Sequence, residues 1–292
     1  NDYLGINERM IIVDTVEKGF TSHEKTDILL GVKEILLEEY NILRSVRPGT
    51  VIACFWHVMS PEAKQIIEER NLEPVWLESM PGLLKAMSSI TGTMSVDVAC
   101  HYLRKNVLGG KFVGRGVMPE NATLAILGAA GNLGQAVYRA AHHRFAKIIA
   151  LEIKKVMQQP YQMAYESREW REATPENILQ SLLESDAVIS GVHIPGKENP
   201  KPITKDMIVA WGKAKPQAVF VDPAIDQGGS SETSTPTTHQ NPVYLSENIL
   251  HYCVANMPGA IPQTSTPALE QALLPNLVEL IKKTARKEGM GY

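Results

Sequence analysis

Gly128-Ala-Ala-Gly131-Asn132-Leu133-Gly134 follows the apolar run Leu124–Leu127. After it come apolar residues at helical spacing: Leu133, Ala136, Val137, Ala140 and Ala141. A glycine-rich turn between a strand and a helix suits a pyrophosphate. Gly128 permits the tight turn, Gly131 lets the backbone approach the phosphates, and Gly134 lets the helix pack close to the strand. The spacing G-x-x-G-x-x-G is a variant of the more usual G-x-G-x-x-G. Roughly 20 residues on, Glu152 closes the next apolar run, where a carboxylate binds a ribose diol and repels a 2′-phosphate. That favours NAD over NADP, although Lys154 and Lys155 stand close by. A second constellation begins where the apolar run Val219–Val221 gives way to Asp222-Pro223-Ala224-Ile225-Asp226-Gln227-Gly228-Gly229. A carboxylate at the carboxyl end of such a strand lines the ligand crevice of an open α/β sheet. It can accept hydrogen bonds from a cofactor or move a proton. Asp222 and Asp226 could equally cap turns.

The elements that carry these groups alternate. Ile28–Val32 reads as a buried strand ending at Lys33, Leu36 to Leu43 as a helix, and Thr50–Phe55 as a strand ending at His57. Ser60-Pro61-Glu62 starts a helix to about Arg70, with Ser60 as N-cap and Pro61 at the first helical position. Val75–Leu77 is a third strand, residues 88–105 a long helix, and residues 109–119 a loop with four glycines. The second series has strands at Leu124–Leu127, Ile148–Leu151, Ala187–Ile189, Val219–Val221 and Tyr252–Ala255. A helix starts at Thr174-Pro175-Glu176, and another covers residues 266–284. Strand–helix alternation predicts parallel βαβ units. The fold class expected is α/β with two domains. A Rossmann-type doubly wound parallel sheet spans 89–262, and a smaller α/β substrate domain is made from 1–88 and 263–292.

The bulk properties exclude several classes. With 292 residues the chain is long enough for two cores, and 44% hydrophobic with 21% charged residues is ordinary globular usage. A formal net charge of −3 gives no electrostatic case for nucleic acid or an anionic membrane. No apolar run approaches the roughly 20 residues that span a bilayer, and residues 1–15 do not resemble a signal peptide. Three widely spaced cysteines, Cys54, Cys100 and Cys253, fit a reducing compartment, hence the cytoplasm, and show no zinc-type spacing with histidine. No metal is expected.

Residues 219–268 contain, in order, AIDQGG, ET–PTTH, HYCVANMPGA and TST. This series resembles the alanine dehydrogenase family, which includes the NAD-binding part of proton-translocating transhydrogenase. Upstream, TDILLGVKEI (Thr26–Ile35) resembles the family's lysine-bearing strand and Trp56–His57 its Leu-His step. SSITGTMS (Ser88–Ser95) resembles its Gly-Arg-Met-Ser segment and GVHIPGKENP (Gly191–Pro200) its Ile-Pro-Gly loop. The resemblance implies an NAD-dependent oxidoreductase acting on a small L-amino acid and its 2-oxo acid, assembled as a homo-oligomer. It implies that Lys33 contacts the substrate carboxylate or carbonyl, that His57 is an acid/base or carbonyl-polarising group, and that Asp226 is its acidic partner near the nicotinamide. Ser95, Glu152, Val192, His193, Asn256 and Met257 fall where the family touches the dinucleotide, beside Gly128, Gly131, Asn132, Leu133 and Gly134. Asp222 is left as a structural strand terminator.

The chain also departs from the family pattern. The family opens with a strand and an Arg-bearing loop that grips the substrate carboxylate, whereas this sequence begins within the family's second element, which fits either a piece of a longer chain or a shortened relative with altered substrate recognition. Thr93 replaces an Arg, Pro223 a Val and His193 a Leu. Losing a bidentate clamp would alter substrate recognition. Two further readings therefore stand beside the first: a dehydrogenase or imine reductase for a larger amine, and an inactive NAD-binding regulatory protein.

Overall fold

A computed structural model describes residues 28–31, 35–57, 59–105, 122–153, 169–192, 194 and 199–287, with the backbone alone for 285–287. The chain divides into two compact units, Asn1–Met80 with Pro275–Tyr292, and Pro81–Leu274. Lys33, His193 and the expected loop at 109–119 lie outside the described residues.

In the first unit, β1 (Ile28–Leu30), β2 (Val51–Cys54) and β3 (Glu73–Trp76) form a parallel sheet in sequence order. Between them lie α1 (Tyr40–Ser45), entered through a 3-10 turn at Leu37–Glu39, and α2 (Pro61–Glu69). Helix α2 starts as its sequence dictates. Ser60 Oγ accepts the Ala63 N–H at 3.0 Å, and Pro61, which has no N–H to leave unpaired, takes the first position. Tyr40 Oη reaches the same Ser60 hydroxyl at 2.7 Å, which locks α1 to the start of α2. The core beneath is Leu43, Ile52, Cys54, Trp56, Ile66 and neighbours.

The second unit holds a seven-stranded sheet in the order β6-β5-β4-β7-β8-β10-β9. Its strands are β4 (Thr123–Leu127), β5 (Lys147–Glu152), β6 (Glu169–Glu172), β7 (Ala187–Ser190), β8 (Val219–Val221), β9 (Val243–Ser246) and β10 (Ile249–Tyr252). All pairings are parallel except the β9–β10 hairpin. The helices are α3 (Leu83–Lys105), α4 (Asn132–Ala141), α5 (Pro175–Glu184), α6 (Lys205–Ala214) and α7 (Pro262–Lys287). Helix α7 belongs to this unit through Leu274 and to the first from Pro275.

Period-two side-chain alternation builds a core on each face of this sheet. Leu124, Ile126, Ile148, Ala150, Ile189, Val219 and Val221 join one cluster with Val96 and Ala99 of α3 and Val137 of α4. Ala125, Leu127, Ile149, Leu151, Val188 and Phe220 join the other with Ile178 and Leu182 of α5 and Trp211 of α6. Both faces are covered, so the sheet is doubly wound, as expected. The chain works outward from β4 to β5 and β6, then returns to β7 on the other side. The carboxyl ends of β4 and β7 therefore flank the switch point where ligands bind in such folds.

Three of the differences from the sequence expectation bear on how the elements are held. The charged edge strand β6 (Glu-Trp-Arg-Glu) has no apolar pattern. It is held instead by Arg171, which binds Glu169, Glu184 and Ser181 Oγ. The strand expected at Tyr252–Ala255 lies earlier, at Ile249–Tyr252, because a two-residue turn at Glu247 and Asn248, both with positive φ, sets a hairpin register. The expected Gly128–Gly134 turn is shorter, with Gly131 already the N-cap of α4.

Candidate functional site

The turn after β4 has the shape that its glycines require. Gly128 takes φ 76°, and a Cβ there would lie 3.0 Å from Gly191 O, at the end of β7. A Cβ on Gly134 would lie 2.3 Å from Gly128 O and 2.6 Å from Ala129 Cα, so the helix start and the turn touch backbone to backbone. Gly131 caps α4 without any side-chain acceptor, and it and Asn132 are exposed. The first-turn N–H groups of Asn132, Leu133 and Gly134 have no intrahelical acceptor, so the positive end of the helix dipole is open to an anion.

Glu152 ends β5 beside this turn. Its Oε2 accepts the Ala130 N–H at 3.0 Å, and its Oε1 accepts the Ile153 N–H at 2.9 Å. Gln135 Nε2 donates to Ala130 O at 2.7 Å and closes the loop from the helix side. A cradle that a Cβ would fill, an uncapped helix start and a carboxylate at the next strand end together fit a dinucleotide: pyrophosphate over the turn, ribose diol at Glu152.

After β7, Val192 is held by Asn199. The buried Asn199 donates through Nδ2 to Val192 O at 3.0 Å and accepts the Ile194 N–H through Oδ1 at 3.2 Å. The sequence reading missed Asn199, since an asparagine seven residues on carries no periodic signal.

The loop after β8 separates its two aspartates. Asp222 is fully buried and accepts from Ala224 N at 3.2 Å, Ser230 N at 2.7 Å and Ser234 Oγ at 2.6 Å. Burial pushes its carboxyl above the ordinary range, against the pull of these donors. It is the structural terminator expected. Asp226 is exposed, on a 3-10 turn over Pro223–Gln227 that ends at Gly228 with φ 90°. Its Oδ2 accepts the Asn256 N–H at 3.4 Å. Asn256 is left-handed, φ 53° and ψ 51°, and a Cβ on Gly259 would sit 2.7 Å from its Nδ2. Next to it, buried Met257 brings Sδ within 3.7 Å of Ser95 Oγ. Ser95 is itself fully buried, with its hydroxyl committed to Thr91 O at 2.7 Å. Asp226, Asn256, Met257 and Ser95 thus form one connected group.

In the first unit, His57 follows β2 and has φ 46°, an uncommon backbone state for a residue with a side chain. Its N–H is taken by Glu78 Oε1 at 2.5 Å, and its ring stacks on Phe55 with centroids 5.8 Å apart. Glu78 was not a sequence candidate. The signal was available in the topology: neighbouring parallel strands pair Cys54 with Trp76, so residues just beyond each must meet.

Among the described residues no group of three or more His, Cys, Asp or Glu could hold a metal ion, and no helix is long and apolar enough to cross a membrane.

Known proteins match this architecture. The family model described as alanine dehydrogenase/PNT, C-terminal domain, matches residues 95–290. The chain is 37% identical over 276 residues to the alanine dehydrogenase of Halomonas elongata, covering 90% of this chain and 72% of that protein. An L-alanine dehydrogenase structure superposes with a TM-score of 0.73 at 25% identity, covering 95% of this chain and 77% of that one. The transhydrogenase of Sinorhizobium meliloti shares the fold, with a TM-score of 0.66 at 18% identity over 89% of this chain and 75% of that one.

Proposed function

The chain belongs to the alanine dehydrogenase/PNT family, and from that premise we propose that it oxidatively deaminates L-alanine to pyruvate and ammonia, and runs the reverse. It is an NAD-dependent oxidoreductase. The observation that carries the choice of substrate is the 37% identity to an alanine dehydrogenase over 90% of the chain, well beyond the C-terminal domain alone.

In the forward direction alanine, NAD⁺ and water give pyruvate, ammonium, NADH and a proton. NAD, when bound, supplies the hydride acceptor. The turn at Gly128, Gly131, Asn132, Leu133 and Gly134 holds the pyrophosphate, and Glu152 accepts the ribose hydroxyls. Val192, His193, Asn256 and Met257 border the dinucleotide, with Ser95 packed behind Met257. Lys33 holds the substrate carboxylate or carbonyl. His57 takes the proton released as water adds and returns it on reversal, and Asp226 is the acidic group near the nicotinamide. Proton transfer by a positioned side chain typically contributes about 10²–10⁴-fold, and orientation much of the rest.

The same family membership supports a homo-oligomer, and three buried free cysteines support a cytoplasmic location. Light scattering that finds only monomer would remove the first of these. The deciding experiment is NADH formation by the purified protein with a panel of L-amino acids and amines. Preference for L-alanine, lost by at least about 10²-fold in kcat in His57→Ala while NAD still binds, is the expected result. No turnover with any amino acid, or preference for a larger amine, sinks the proposal.

A further inference from the structure

We propose that Glu78 is the positioning residue for His57: its carboxylate holds the imidazole as the Nδ1–H tautomer and leaves Nε2 as the nitrogen available to substrate. The proposal rests on the reading of His57 as the proton-transfer group.

Topology brings the two residues together. Strands β2 and β3 run parallel with Cys54 opposite Trp76, so His57 and Glu78 leave the same edge of the sheet three and two residues later. Glu78 sits on the one-turn 3-10 segment Leu77–Ser79, which follows β3 directly and is anchored by fully buried Leu77. Its Oε1 does two things. It accepts the His57 backbone N–H at 2.5 Å, which holds a residue whose positive φ needs outside support. It also lies 3.9 Å from the ring's Nδ1.

The burial pattern gives the ring a direction. Nδ1 is buried without a hydrogen-bond partner, yet the His57 side chain retains 17% exposure, so its accessible surface belongs to other side-chain atoms. The Glu78 side chain is 8% exposed, and Oε2 is likewise buried and unpaired. A buried carboxylate only accepts hydrogen bonds. Facing Nδ1, it therefore favours a proton there and opposes a bare nitrogen lone pair. A shift of the ring by less than an ångström brings the 3.9 Å separation within hydrogen-bond reach, and catalytic hydrogen bonds are often long before substrate binds. A carboxylate that merely capped the turn would need only the backbone contact. The ring nitrogen aimed at the same oxygen is the second observation, and it concerns tautomer and orientation.

The test compares wild type with Glu78→Gln. Glutamine can keep its oxygen on the His57 N–H, but the group facing Nδ1 is then a neutral amide oxygen, so the charge that favours a proton on Nδ1 is gone and the tautomer preference weakens. Long-range ¹H–¹⁵N spectra of ¹⁵N-histidine protein, with His57→Ala locating the signals, read the tautomer directly. The expected result is Nδ1–H in wild type and a shift toward Nε2–H in Glu78→Gln. The kcat for alanine oxidation falls about 10²-fold, and the Kd for NAD stays within about twofold. Glu78→Asp, which keeps the charge one methylene back, recovers part of kcat. A dominant Nε2–H tautomer in wild type overturns the proposal, whether or not the variants fold. So does a Glu78→Gln protein with unchanged tautomer and kcat. If wild type turns over no substrate, the proposed function fails, and the tautomer spectra still decide the role of Glu78.

Discussion

Glu152 Oε2 accepts the N–H of Ala130 at 3.0 Å, so the carboxylate that ends β5 is fastened to the turn that follows β4. One side chain thereby shapes the turn after β4, and the proposed function puts the ribose diol on the same carboxylate. Glu152→Ala removes both contributions. A hydrogen bond to a charged group contributes about 1.5–3 kcal/mol, which is roughly 10- to 100-fold in affinity. The expected outcome is a Kd for NAD weakened by that factor, with a smaller loss for NADP, so the preference between them narrows. Calorimetry with both dinucleotides checks it, and an unchanged NAD/NADP ratio would place the ribose elsewhere.

Gly134 has no room for a methyl group. Its Cβ would lie 2.3 Å from Gly128 O, and the obstacle is backbone rather than a flexible side chain. Gly134→Ala must push α4 away from the turn. Overpacking of this kind costs about 1–3 kcal/mol. Urea unfolding should show that loss, together with at least about tenfold weaker NAD binding. Gly131→Ala is the control for stability alone, since its Cβ would meet only Gly128 O at an ordinary 3.4 Å. If both variants lose the same stability, the close approach of helix and turn is not the reason.

The two aspartates of the β8 loop should fail in opposite ways. Asp222→Ala leaves the Ser230 and Ala224 N–H groups and the Ser234 hydroxyl facing a buried gap. An expected loss of about 2–3 kcal/mol of stability follows. Asp226→Asn alters an exposed group and should change stability by less than about 0.5 kcal/mol, while lowering kcat by about 10²-fold or more. Denaturant midpoints and initial rates on the same preparations separate the two. A stability loss in Asp226→Asn that matches its activity loss would remove its assignment to chemistry.

Much of this was legible in the residues. Uniformly apolar runs such as Leu124–Leu127 and Val219–Val221 announce strands buried on both faces. Ser60-Pro61 and Thr174-Pro175 announce helix starts, because capping is local chemistry: both hydroxyls accept the N–H three residues on. The glycine turn and Glu152 were legible for the same reason. What was hidden depends on partners distant in sequence. Strand β6 is charged because Arg171, Glu169, Lys147 and Glu184 pair across β5, β6 and α5. Helix α6 (Lys205–Ala214) is placed by Gly212, where a Cβ would overlap Glu247 O of the hairpin turn. Glu78 meets His57 only once two parallel strands are in register.

His251 should make the protein sensitive to mild acid. It is fully buried on β10 between Tyr244, stacked at 4.9 Å, and Phe220, edge-on at 5.4 Å. Nδ1 lies 3.0 Å from Ile249 O, which can only accept, so Nδ1 carries the proton and Nε2 accepts from Thr233 Oγ1 at 2.8 Å. Burial holds its pKa below the ordinary histidine value. The folded protein therefore resists a proton that the unfolded chain takes up near pH 6.5. Unfolding gains protons as pH drops, so stability is level above about pH 7 and falls from roughly pH 6.5 downward, until the folded pKa is reached. In His251→Phe the ring contacts remain and the titration is gone. At pH 8 this variant should be less stable by about 1 kcal/mol, for the lost Thr233 hydrogen bond. Its Tm should then decline less steeply than wild type between pH 7 and pH 5. Parallel slopes in the two proteins would assign the acid sensitivity to other groups.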